Sequence, residues 1–227
     1  MGLAMLREPE PEAMDIAEEA DAYATADFAE VNTAFVNRLL YFVGTQKPTL
    51  CLDLGTGPGD IPVRIIGQGP PWRIVAADVS LPMLAHARHT LRKAGFRWAV
   101  RLIRMDAKWM PFPSAVFGVV FSNSILHHLV ETQPLWAEIK RVGKPGAFVL
   151  LRDLARPDSP EAARAIVEKH ARLESALLQE EFYRSLLASY TPEEIRVQLD
   201  HAQLSSLRVE MVSDRHLDVF GRLPGGV

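Results

Sequence analysis

The chain has 227 residues, with 28 acidic residues against 25 Lys and Arg, a net charge of −3, 48% hydrophobic residues and 23% charged ones. That length and balance suit a globular chain with room for a substantial core, and the slight acidity gives no basic field for bulk nucleic acid. A single cysteine excludes a disulfide framework and a cysteine–histidine metal cluster. There is no apolar run of about 18 residues to span a membrane, and the acidic leading segment is unlike a secretory signal, so a cytoplasmic setting is expected.

Residues 1–44 read as an arm followed by two helices. From about Asp15, Ile16, Ala20, Tyr23 and Ala24 share a helical face; from about Phe28 to Val43, Val31, Phe35, Leu39 and Phe42 share another, and Gly44 can end it. Leu50–Leu54 then reads as a buried strand running into the turn Gly55-Thr56-Gly57-Pro58-Gly59. A helix follows from Ile61, with Asp60 as N-cap and Pro62 in the first turn. In such a strand–turn–helix unit a ligand sits at the carboxyl end of the strand. Glycines at 55, 57 and 59 followed by Asp60 depart from the G-x-G-x-x-G dinucleotide spacing. Pro58 also removes a backbone N–H from the loop. The loop therefore suits a ligand with no phosphate and some positive charge, and the Lys-Ser/Thr of a P-loop is absent.

Arg73–Asp78 is the second strand. A carboxylate at its end can accept two vicinal hydroxyls and would repel a 2′-phosphate. Ser80 can cap the next helix, about Leu81 to Ala94, which Gly95 ends. Trp98–Met105 is the third strand, closed by Asp106-Ala107, and the rigid Met110–Ser114 loop leads to a fourth strand, Ala115–Phe121. Ser122–Leu129 follows, which puts Asn123, His127 and His128 at that strand's carboxyl end. Adjacent residues on a helical turn point about 100° apart, so one histidine at most faces a ligand directly. It can act as a general base, or both can be structural. His128 is favoured slightly, with Leu126 and Leu129 anchoring the turn.

Gln133–Val142 is an amphipathic helix, and Arg141–Ala147 turns into a fifth strand, Phe148–Leu151. Arg152, just past it, is expected at the substrate edge of a pocket. Helices are expected over about Pro160–Leu178 and Glu181–Ser189, where Phe182, Tyr183 and Tyr190 either line a cavity or fill a core. Thr191 with Glu194 forms a capping box for a helix to about Ala202. Leu207–Val212 and His216–Phe220 complete seven strands.

Asp53-Leu54-Gly55-Thr56-Gly57-Pro58-Gly59 resembles the first motif of class I S-adenosylmethionine-dependent methyltransferases. Asp78, Asp106-Ala107, Met110–Ser114 and Arg141-Val142-Gly143-Lys144-Pro145-Gly146-Ala147 resemble later motifs in the same order, so the resemblance spans about residues 45–221. Phe117-Gly118 departs from the usual Phe-Asp, and the Asn-Pro-Pro-Tyr of amino-methyltransferases is missing.

The resemblance implies an α/β, doubly wound, Rossmann-like seven-stranded sheet of order 3-2-1-4-5-7-6, its last strand antiparallel, over residues 45–227, with residues 1–44 as an N-terminal helical cap. It implies S-adenosyl-L-methionine as cofactor, held by Asp53, Gly55, Thr56, Gly57, Gly59, Asp78, Val79, Met83, Asp106, Ala107 and Asn123. Tyr23, Asn32, His127, Arg152 and Tyr183 become candidates for the acceptor, with Phe28 beside them; the bland reading of Tyr23 and Phe28 is packing on the sheet. His128 and His127 are the catalytic candidates. The reaction implied is in-line displacement onto a small-molecule acceptor, since the basic cluster Arg88, Arg92, Lys93, Arg97, Arg101 and Arg104 lacks the interleaved aromatics of an RNA track. No metal is expected, and the oligomeric state stays open. The alternatives are a non-catalytic S-adenosylmethionine-binding partner protein, a methyltransferase acting on RNA or protein, and an NAD-dependent short-chain enzyme, the last disfavoured by the glycine spacing.

Overall fold

Strands buried on both faces carry near-continuous apolar runs, and β1 (Thr49–Leu54) is such a strand, with its last four residues buried. The computed structural model describes residues 5–11 and 16–225. The helix start expected at Asp15 lies outside them; α1 is Ala17–Thr25 and α2 is Ala29–Val43. β1 is followed by α3 (Asp60–Gly67), β2 (Trp72–Asp78), α4 (Leu81–Ala94), β3 (Val100–Arg104), β4 (Phe117–Asn123), α5 (Gln133–Val142) and β5 (Gly143–Leu154). Then come α6 (Pro160–Ala171), α7 (Ala176–Ala188), α8 (Pro192–His201), β6 (Arg208–Met211) and β7 (His216–Arg222). The seven strands form one sheet in the order β3-β2-β1-β4-β5-β7-β6. Pairing is parallel from β3 to β5, and β7 runs antiparallel to both neighbours. The expected order and the antiparallel last strand are therefore what the chain forms.

The pleat divides the core between two faces. Cys51, Ile74, Val119 and Phe121 meet Phe35, Val36 and Leu39 of α2 and Ile61 and Ile65 of α3. Leu52, Leu54, Val120 and Val149 meet Leu135, Trp136 and Ile139 of α5 and Ile195 and Leu199 of α8. A third cluster joins α6 and α7 through Ala163, Val167, Leu186 and Leu187, seated on Leu154 at the end of β5. No helix of the described residues is long and apolar enough to cross a membrane.

Three local expectations are corrected. Gly59, with φ of 82°, is the residue before α3, so Asp60 is its first residue and not its N-cap. The helix expected over Pro160–Leu178 is broken at Arg172–Ser175, because Ser175 accepts from the Leu178 N–H and starts α7 afresh. The fifth strand is longer than its apolar run: Lys144–Ala147 bulges between the pairings of Gly143 and Phe148, and the strand continues through Arg152 and Asp153 to Leu154. Those two charged residues stay in a buried strand because each has a charged partner, described next.

Candidate active site

The carboxyl ends of β1, β2 and β4 meet beneath α1, α2, α6 and α7, and a cavity of about 470 Å3 opens there. That size is ordinary for a small-ligand site. Its wall includes Gly55, Asp78, Val79, Met83, Asp106 and Ala107, together with Tyr23, Phe28, Asn32, Asn123, His127 and His128. Asp53, Thr56, Gly57 and Gly59 form the adjoining strand end and turn without being part of the cavity wall.

The turn is shaped by its glycines and by Asp78. A Cβ on Gly59 would sit 3.1 Å from Ala87 of α4, so only glycine allows both the left-handed backbone and that close helix. The Asp78 carboxylate accepts from the Gly57 N–H at 2.8 Å and the Ser80 N–H at 2.9 Å, which ties the end of β2 to the turn. Burial pushes the Asp78 carboxyl above the usual range, against those hydrogen bonds. Burial also pushes the Asp53 carboxyl up to about 7, and Asp78 adds to it. Asp53 Oδ2 and Thr56 Oγ1 are both buried, and the Thr56 hydroxyl pulls the Asp53 carboxyl down against that burial. Asp106 accepts from the Lys108 N–H at 2.8 Å.

Next to the glycine turn, Asp60, Asn32 and Asn123 form a hydrogen-bonded chain. Asn32 donates to Asp60 at 2.8 Å, and Asn123 donates to Asn32 at 3.0 Å. Two candidates from distant parts of the sequence are thereby joined. Tyr23 stacks against Phe28 with ring centroids 4.8 Å apart, and burial among Asp153, Asp78 and Asp60 pushes its hydroxyl up to about 12.

Ser124, with φ of 69°, turns the chain sharply after β4, and a single 3₁₀ turn, Leu126–His128, follows. A non-glycine residue in that region is strained and tends to mark functional turns. Leu126 and Leu129 are buried and anchor the turn, as expected. His127 is only 4% exposed, and its Nδ1 lies 2.5 Å from Asp153 Oδ1. Asp153 also accepts from the Leu126 and Leu154 N–H groups. Burial alone would push the His127 imidazole down; the Asp153 carboxylate, helped by Glu10, outweighs it and holds it above its ordinary value. Burial would push Asp153 up, but His127 and the Leu126 N–H hold it below the usual range. His128 Nδ1 lies 2.9 Å from Glu10 Oε1, and His127 Nε2 lies 3.5 Å from the same oxygen.

Two candidates lie elsewhere. Arg152 does not face the cavity. It is buried in β5, where its guanidinium forks onto Asp218 of β7 at 2.7 and 2.9 Å. Tyr183 is not in the cavity wall; Arg164 stacks on its ring at 4.4 Å, and Phe182 reaches the cavity instead. Glu10 and Asp153 are the site residues that sequence reasoning missed. Asp153 had a signal, an acid at the strand end beside Arg152; Glu10 had none, since only the fold carries the arm to the histidines.

Residues 52–151 match the family described as a methyltransferase domain. That segment, together with the strand order of the sheet, is similar to a methyltransferase domain of the class I type. It is 31% identical over 122 residues to demethylmenaquinone methyltransferase of Thermus thermophilus, a match covering 54% of this chain and 54% of that protein. It is 33% identical over 130 residues to malonyl-[acyl-carrier protein] O-methyltransferase of Legionella pneumophila, covering 57% of this chain and 44% of that one. The chain thus spans about half the length of the curated relatives it matches. A solved SAM-dependent methyltransferase from Aquifex aeolicus superposes with a TM-score of 0.67 at 19% identity, covering 92% of this chain and 98% of that one, which shows the shared fold. The matched segment contains the glycine turn, Asp78, Asp106, Asn123 and both histidines of the methyltransferase domain, and excludes the arm, α1 and α2.

Proposed function

We propose that the chain is an S-adenosylmethionine-dependent methyltransferase acting on a small-molecule acceptor. The observation that carries the reading is one cavity whose wall holds Asp78 at the end of β2, Asp106 just past β3, and His127, which pairs with Asp153. The donor set fits the cofactor. Carboxylates at Asp78 and Asp106 suit a ligand of hydroxyl and amino groups, and the Thr56 and Gly57 N–H groups of the turn are already taken by the Ala77 carbonyl and Asp78. When bound, S-adenosylmethionine supplies an electrophilic methyl group on a sulfonium centre.

The chain's own residues supply the rest. Asp78 would accept from ribose hydroxyls and Asp106 from the adenine amino group. Asn32 and Asn123 hold the cap to the end of β4. Asp153 keeps the proton of His127 on Nδ1, which leaves Nε2 to accept the proton that the acceptor loses. The arm, α1 and the α6–α7 pair exclude water, and the acceptor is oriented for in-line attack. His127, with its buried carboxylate, takes precedence over the slightly favoured His128.

The test uses an acceptor found by screening metabolite extracts for incorporation of labelled methyl. His127→Gln is expected to bind S-adenosylhomocysteine normally and to lose about 10²–10⁴ in turnover. Because the imidazole is held up, the wild-type rate falls as pH drops through that raised value. Asp153→Asn removes the support, so the acidic limb moves to lower pH and the rate drops. If His127→Gln and His128→Ala both keep the wild-type limb and rate, neither histidine is the base.

A further inference from the structure

We propose that Glu10, His127 and His128 form a binding site for a divalent zinc-class metal ion, whether or not the chain transfers methyl groups. One ligand atom from each of the three lies within 4.8 Å of the others. Zinc bound at about 2.0–2.1 Å in a tetrahedron holds its ligand atoms about 3.4 Å apart. Glu10 Oε1 is 2.9 Å from His128 Nδ1 and 3.5 Å from His127 Nε2, so the first pair would open by about 0.5 Å and the second close by about 0.1 Å to reach that geometry. Two imidazoles with one carboxylate are a donor set that borderline divalent ions favour.

Three further features favour a cation here. His128 Nδ1 is buried and turned to the Glu10 carboxylate oxygen 2.9 Å away. The Asp153 carboxylate on His127 Nδ1 is the outer partner that metal-binding histidines ordinarily have; it fixes the ring and presents Nε2. Finally, Glu10 and Asp153 bring two negative charges to two imidazoles, and one divalent ion balances both with the imidazoles neutral. All three ligands line the cavity, so a fourth coordination position opens into it. The metal takes the lone pair on His127 Nε2, so metal loading and base duty exclude each other.

The arm is positioned for the task. Arg7 donates to the His127 and Leu129 carbonyls at 2.8 and 2.9 Å, three residues before Glu10. The carbonyls of the 3₁₀ turn thus hold the strap that carries the third ligand.

The experiment takes tag-free full chain, stripped with chelator, and titrates zinc in competition with a chromophoric chelator. One zinc per chain is expected. Glu10→Ala and His128→Ala, both on partly exposed side chains, should each weaken it at least tenfold, and Asp153→Asn by about 10–100-fold. Far-ultraviolet circular dichroism checks that the variants fold. Cobalt(II) on the wild-type chain gives a readout independent of any variant: an intense tetrahedral visible band that zinc abolishes. Absence of one-to-one uptake, absence of that band, or uptake unchanged in folded Glu10→Ala and His128→Ala overturns the site.

Discussion

Asp78 does two things with one carboxylate. It receives the Gly57 and Ser80 N–H groups, and it faces the cavity where ribose hydroxyls would approach. It organises the turn, and in the proposed complex it would add acceptor capacity for a diol. Asp78→Ala is therefore expected to weaken S-adenosylhomocysteine binding by about 1.5–3 kcal/mol, roughly 10–150-fold. Some stability should go with it, because two turn N–H groups lose their partner. Calorimetric titration of wild type and variant decides this, with NAD as the control expected not to bind. An unchanged dissociation constant in a folded variant removes Asp78 from the site. Its place at a strand end beside the glycine turn was legible because β2 is a local apolar run that ends in one acid. Arg152 misled for the opposite reason. Read alone, Arg152-Asp153 after Leu151 looks like a chain leaving the sheet, whereas both charges are satisfied inside it by Asp218 and His127.

Among the elements, the arm of residues 5–11 was the least readable and bears most on the site. It has no regular structure, and its hold comes from side-chain and backbone pairing to distant carbonyls. Arg7 donates to the His127, Leu129 and Ala188 carbonyls and stacks on Tyr190 at 4.1 Å, while the Glu8 N–H reaches the Leu187 carbonyl. Nothing periodic in Pro9-Glu10-Pro11 announces this, and periodicity is what sequence reading detects. By contrast β1, α3, α4 and α8 carry their own signals, including Ser80 and the Thr191–Glu194 capping box, both of which form. Arg7→Ala should release the arm at a local cost of about 1–3 kcal/mol while sparing the sheet. Hydrogen exchange checks it. Amides of Leu126–Leu129 and of the arm should exchange faster, with the strands unchanged; identical exchange in both regions would show that Arg7 does not hold the strap.

At the scale of the whole molecule, the buried charges under this sheet set how stability responds to pH. Burial pushes Asp53 up to about 7 and Asp78 upward, so the native state binds more protons than the unfolded one from about pH 4 upward. Their contribution to stability therefore falls as pH rises through that window. His216 does the reverse. Burial, with Arg215 and Arg152 nearby, pushes it down to about 3, so between about pH 3 and 6.5 the unfolded state binds the extra proton and stability rises with pH. Glu10 and Asp153, held low, contribute above about pH 4 and lose that contribution as pH falls through their lowered values. His127, held high, contributes fully below about pH 6.5 and loses it as pH rises through its raised value. The wild-type chain should thus lose stability on the acid and alkaline sides, with a flat or gently falling stretch from about pH 4 to 6.5, where Asp53 and His216 oppose each other. Asp53→Asn removes one side of that opposition. Its unfolding free energy, from urea melts, should climb between pH 4 and 6.5 at up to about 1.4 kcal/mol per pH unit. The amide's own cost shifts the whole curve without changing its slope. Parallel curves for variant and wild type would mean that Asp53 is ionised in the native state like an ordinary carboxylate, and that the turn stabilises its charge.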